Sequence, residues 1–227
     1  MGQYWMLINL DKRIASGRSA MFTKLGEIWM NGTKADFVER LIVPPDQPSS
    51  DDSSSSMLGE WAGDRLMLVG DYADDYPPGV LNDREEIRVA AYRSGGLYKF
   101  AQNRFADSQH FYYQDELEKF FPGGNSWVLR NLSKRLFVLL DEVDEDECGT
   151  LEHVMLCYIS WSSDPSSALT QDITRGEWVG DRFDIVIVER LSEGDLNDTP
   201  WKDVTDEVTT RAKRVAESEG RRRAIGF

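Results

Sequence analysis

The chain has 227 residues, 26 of them basic and 40 acidic, for a formal net charge of −14, with 41% hydrophobic and 29% charged residues. This composition is globular rather than disordered, and the length allows a core that needs no disulfide staples. The acidic balance argues against nucleic acid and anionic membranes as partners, because both require a basic face.

The opening Met1-Gly2-Gln3-Tyr4-Trp5 contains no basic or apolar segment of a signal peptide. Met6 stands where a myristoylation signal carries Ser or Thr. No apolar run reaches the roughly 18 residues of a transmembrane helix, so a cytoplasmic protein is expected. Cys148 and Cys157 are the only cysteines and make no disulfide framework; a reduced pair is the expectation. Without a secretory signal, the sequons at Asn31 and Asn131 carry no meaning.

Residues 5–10 read as a strand that ends in the polar turn Asp11-Lys12-Arg13. Thr33 then stands as an N-cap, and Phe37, Val38, Leu41 and Ile42 form a helical stripe behind it. Pro44-Pro45 and the Ser/Asp-rich residues 49–56 predict a loop. Gly59-Glu60-Trp61-Ala62-Gly63-Asp64-Arg65 launches a strand over 66–69 through a turn or bulge at Gly63-Asp64. Asp71, Asp74 and Asp75 follow as an acidic cluster, Asp83 to Ile87 reads as a helix start, and Gly95-Gly96 as a turn.

The second half repeats this order. Strands are predicted over 127–132, 136–140 and 183–188, with a helix after a cap at Thr150 and a connector over 162–171. The tail reads as a helix capped by Thr199, with Pro200 at its first position, Val204, Val208, Ala212 and Val215 on one face, a Glu207–Arg211 pair and a stop at Gly220. The basic Arg221-Arg222-Arg223 is read as a solvated tail.

Two motifs make this an internal duplication. Trp5-Met6-Leu7-Ile8-Asn9-Leu10-Asp11-Lys12-Arg13 recurs as Trp127-Val128-Leu129-Arg130-Asn131-Leu132-Ser133-Lys134-Arg135, identical at six of nine positions. Gly59 to Arg65 recurs as Gly176-Glu177-Trp178-Val179-Gly180-Asp181-Arg182, identical at six of seven. Residues 32–65 align with 149–182 without a gap, at an offset of 117, while the first motif sits at 122. The first copy therefore holds five extra residues upstream, placed at 16–20. Repeats of this kind indicate stacked supersecondary units. The expected fold is α+β: two pseudo-equivalent repeats (strand hairpin, helix, loop, strand, helix) over 1–122 and 123–227, fused into one globule.

The shared Trp61, Asp64, Arg65, Trp178, Asp181 and Arg182 are the most specific feature. They serve either the fold or a ligand bound in a groove between the halves. Asp71, Asp74 and Asp75 belong to one copy and could hold Mg²⁺ and, through it, a phosphorylated substrate. The acidic residues 141–147 lack the EF-hand pattern and read as a solvated loop able to attract a basic partner. His110 and His153 are the only histidines, which leaves little for a catalytic triad or histidine metal site. No phosphate-binding, dinucleotide or Gly-x-Ser-x-Gly motif occurs, and no cofactor is expected.

The Met1-Gly2-Gln3-Tyr4-Trp5 start, the Asn-Leu-x-Lys-Arg turn and the twin Trp-x-Gly-Asp-Arg motifs resemble an uncharacterised family of intracellular proteins from mushroom-forming basidiomycete fungi. The resemblance implies a compartment, not a reaction, and transfers no functional residue. The residues favour a ligand-binding or protein-interaction protein that takes a small molecule or protein partner. The alternative is a Mg²⁺-assisted lyase or hydrolase acting on a phosphorylated or diphosphate compound.

Overall fold

A computed structural model describes residues 4–16, 38, 41–44, 59–108, 126–143, 151–163, 175–192 and 199–224. The predicted caps Thr33 and Thr150, the extra residues 17–20, the stretch 49–56, His110 and Cys148 lie outside the described residues, as do 144–147 of the acidic run.

The first copy contributes β1 (Trp5–Asn9), β2 (Ile14–Ser16), β3 (Leu66–Gly70), α1 (Asp83–Ala90), α2 (Gly96–Arg104) and β4 (Ala106–Ser108). The second contributes β5 (Trp127–Asn131), β6 (Leu136–Leu139), α3 (Leu151–Ile159), β7 (Ser160–Trp161), β8 (Phe183–Ile187), β9 (Lys202–Asp203) and α4 (Thr205–Ala224). The fold is α+β, with two similar mixed sheets. Sheet one runs β4-β2-β1-β3-β7 and sheet two β9-β6-β5-β8. In each, a central strand pairs antiparallel with both neighbours, and the hairpin's return strand pairs parallel with a short edge strand.

The fifth strand of sheet one comes from the second copy: β7 pairs parallel with β3. Its counterparts in the first copy, at the offset of 117, are Val43 and Pro44, which form no strand. Pro44 has no N–H to donate to a ladder, so the repeated segment builds an edge strand in one copy only. The helical residues Val38, Leu41 and Ile42 are buried, as the predicted stripe requires.

Strand alternation divides the apolar residues between two clusters. Trp5, Leu7, Leu66 and Leu68 of sheet one share a core with Trp127, Leu129, Phe183 and Ile185 of sheet two. Val154 to Ile159 of α3 and Val208, Ala212 and Val215 of α4 close it. Neither half could bury these residues alone. The other face of sheet one, with Met6, Ile8, Met67 and Val69, is covered by Leu97, Tyr98, Phe100 and Ala101 of α2 and Val89 of α1. Those two helices lie between β3 and β4, where the second copy has a shorter connection from β8 to β9.

That length difference rewrites one cross-strand pair. Ile8 lies opposite Met67 in sheet one, and their counterparts Arg130 and Asp184 lie opposite each other in sheet two. Arg130 donates to both carboxylate oxygens of Asp184, at 2.8 and 2.7 Å, and to the carbonyls of Arg190 and Leu191. Its guanidinium stacks on Trp201 at 5.5 Å. The second sheet thus carries a buried, hydrogen-bonded ion pair where the face under α1 and α2 carries two apolar side chains.

Two details of the predicted helices change. The last helix starts at Thr205, not at Pro200. Trp201 is instead held under Arg135 and Arg130, Lys202–Asp203 pairs with β6, and Asp203 accepts from the Thr205 backbone and hydroxyl. Gly220 lies inside this helix, which continues through the three arginines to Ala224. Asp83–Ala90 is a helix, opened by Asn82 in a capping box with Glu85. It belongs to the extra segment of the first copy, however, and is no counterpart of the tail helix.

Candidate functional site

The hairpin turn between β1 and β2 is polar, and its backbone needs partners. Asn9, fully buried, accepts from the backbone N–H groups of Asp11 and Lys12 and donates through Nδ2 to Asp64 at 2.8 Å. Lys12 donates to the same carboxylate and to the Glu60 carbonyl at 2.6 Å. The second copy repeats these contacts except the bond from Asp11 N–H. Asn131 accepts from Lys134 N–H and donates to Asp181 at 2.8 Å, while Lys134 reaches Asp181 and the Glu177 carbonyl. The two sequence motifs of each half are therefore one constellation, in which Asn and Lys of the hairpin turn hold the Asp of Gly-Asp-Arg.

The turn's last residue, Arg13 or Arg135, has a left-handed backbone, with φ of 55° and 56°. An L-residue there costs about 1 kcal/mol, and its side chain offsets the strain. Arg13 pairs with Glu85 and stacks on Phe105 at 5.4 Å; Arg135 donates to the Thr199 carbonyl and stacks on Trp201 at 4.9 Å. Phe105 and Trp201 immediately precede the equivalent strands β4 and β9, whose first N–H groups bond to the Arg13 and Arg135 carbonyls.

The two Gly-Asp-Arg segments meet each other. Arg65 and Arg182 form an antiparallel bridge. Leu66 N–H donates to the Asp181 carbonyl at 3.1 Å, and Phe183 N–H to the Asp64 carbonyl at 3.3 Å. Gly63 N–H donates to Phe183, and Gly180 N–H to Leu66. Each bond has its mate at the offset of 117, so a pseudo-twofold axis passes between the two arginines. Gly63 and Gly180 sit at φ 78° and 76°, a region that favours glycine.

Symmetry fails at one side chain. Asp11 accepts Arg65 N–H and Arg65 Nε at 3.0 and 2.8 Å, and also Arg182 Nη1 at 2.7 Å from across the axis. Its counterpart is Ser133, which among the described residues accepts only the Arg182 backbone N–H, at 2.9 Å. Arg182 Nη1 also reaches the Gly63 carbonyl at 2.8 Å, and its side chain is 46% exposed. Two guanidiniums thus share one carboxylate. Burial pushes the Asp11 carboxyl up, but the hydrogen bonds from Arg65 and the charges of Arg65 and Arg182 outweigh it and hold the group below its ordinary value.

The structure brings together all six shared residues and separates their roles. Trp61 and Trp178 are buried in the shared core, and Trp178 stacks on Tyr158 at 4.2 Å. Both indoles lie in the core that the two sheets share. Asp64 and Asp181 are occupied by Asn and Lys. Arg65 and Arg182 remain as side chains that reach solvent. The one signal that finds Asp11 and Ser133 in the sequence is that they differ within the otherwise matched Asn-Leu-x-Lys-Arg turn.

Asp71, Asp74 and Asp75 are drawn to separate partners. Asp71 accepts from Tyr4 N–H, and Asp74 from Gly95 N–H. Asp75 pairs with Arg175 at 2.8 Å and accepts from Ser163 and the Trp161 indole. Burial raises the Asp71 carboxyl, while at Asp75 burial is outweighed by Arg175, Ser163 and Trp161, which lower it. Of the three carboxylates only that of Asp75 reaches the segment around β7, and among the described residues no group of three metal-ligating side chains occurs. Tyr158 is no acid or base near neutral pH, since burial foremost pushes its hydroxyl up to about 12. Among the described residues no helix is long and apolar enough to cross a membrane.

Compared with protein-family models, curated proteins and solved structures, the chain matches none.

Proposed function

We propose that this is a binding protein whose recognition surface lies at the pseudo-twofold axis and takes an anionic group of a small molecule. The observation that carries the reading is the pair Arg65 and Arg182 set against the single carboxylate of Asp11. Arg182 is pinned by Nη1 yet open to solvent, and its Nε has no protein acceptor among the described residues. A preoriented guanidinium with unfilled donors is the group best suited to a planar oxyanion. Pinning also reduces the entropy lost on binding.

The test is calorimetric titration of the intact protein with acetate and with inorganic phosphate at constant ionic strength, beside Arg182→Ala. Saturable binding that disappears in the variant supports the reading. Equal heats from both proteins would reject it.

A further inference from the structure

The asymmetry between Asp11 and Ser133 specifies the ligand's chemistry, an inference that rests on the anion-binding reading above. We infer that the group bound is a single carboxylate, seated beside Ser133 and Arg182 where the first copy places the carboxylate of Asp11. The protein displays the required geometry on itself. In the first copy, one carboxylate spans the backbone N–H and Nε of the motif arginine. The second copy presents the same backbone turn, with the arginine N–H capped by a hydroxyl and its Nε unfilled by the described residues.

Ser133 lacks the two acceptor oxygens and the negative charge that Asp11 supplies, so the complement missing from the second copy is a carboxylate. The surroundings favour one negative charge over two. The chain carries a net charge of −14, and Asp11 already lies within hydrogen-bond reach of Arg182. A phosphate, with close to two negative charges at neutral pH, would meet more repulsion than a carboxylate. The site exists once per chain, because Asp11 fills its mate.

The experiment follows the Arg182 Nε–H signal in ¹H–¹⁵N spectra of the full chain during titration with sodium acetate, sodium phosphate and sodium chloride. Acetate is expected to shift the signal saturably, phosphate more weakly, and chloride without saturation. Ser133→Asp supplies the carboxylate internally and is expected to weaken acetate binding at least tenfold, with the starting signal already displaced. Undiminished acetate binding by Ser133→Asp would overturn the placement while leaving the anion-binding reading intact if Arg182→Ala still abolishes binding. Tighter binding of phosphate than of acetate would overturn the assignment to a carboxylate. A linear response matching chloride would remove both.

Discussion

Arg65 and Arg182 stand 117 residues apart in the chain and directly opposite each other in space, each the other's partner in an antiparallel bridge. Their flanking hydrogen bonds, Leu66 to Asp181 and Phe183 to Asp64, are related by the same exchange of copies. The duplication is thus joined through the residues that define it.

The buried Asn at the hairpin turn sets the first prediction. Asn9→Ala or Asn131→Ala leaves turn N–H groups and an Asp carboxylate without their partner. Each is expected to cost about 1–3 kcal/mol, by similar amounts, because each holds the turn's Lys N–H and the motif Asp of its own half. Urea denaturation measures it; a cost from only one of the two would show that the constellations are not equivalent.

The second prediction concerns the ion pair that replaces Ile8 and Met67. Arg130→Ile or Asp184→Met alone strands a buried charge and is expected to cost about 3–5 kcal/mol. The double variant reproduces the apolar pair and is expected to recover most of that loss. A double-mutant cycle in denaturant checks it, and strict additivity would contradict it.

Acid sensitivity gives the third. Asp11 has a folded value below its ordinary 3.8, so its contribution is complete above that value and is lost as the pH falls through the lowered one. Asp11→Asn is therefore expected to be less stable than the parent at neutral pH and to show a flatter decline below about pH 4. Parallel acid limbs for the two proteins would contradict this.

At Gly180 the fourth prediction is steric. A Cβ there would approach Val80 at 3.1 Å on a backbone with φ of 76°. Gly180→Ala is expected to cost about 1–2 kcal/mol, measured by thermal or chemical unfolding. A neutral effect would mean that the turn relaxes.

Much of this fold was readable before any coordinates, because the constraints were local. The strands at 5–9, 127–131, 66–70 and 183–187 follow from apolar runs bounded by turns, and the offset of 117 comes from Trp, Gly, Asp and Arg that each have a structural duty. The exchange of β7 was not readable, since two residues of edge strand carry no periodicity. The Thr199-Pro200 pair carries the chemistry of a helix start, but stacking of Trp201 beneath two arginines and pairing of Lys202–Asp203 outweigh a local preference. The equivalence of β4 and β9 was hidden because Ala-Asp-Ser and Lys-Asp share a position and not a composition. At the site, symmetry marked Arg65 and Arg182 together with the buried Trp61 and Trp178 and the hydrogen-bonded Asp64 and Asp181. The pair that differs, Asp11 and Ser133, gains meaning only once both are seen beside the axis.

The most direct measurement of the central claim, that the twin motifs meet at a pseudo-twofold axis, is a cross-link between Arg65→Cys and Arg182→Cys. A bridge pair of this type holds its Cα atoms about 4.5 Å apart, within the span a disulfide accepts. Mild oxidation followed by peptide mapping is expected to return a peptide joining positions 65 and 182 in nearly all molecules. Two freely alkylated cysteines in the folded, oxidised protein would contradict the account.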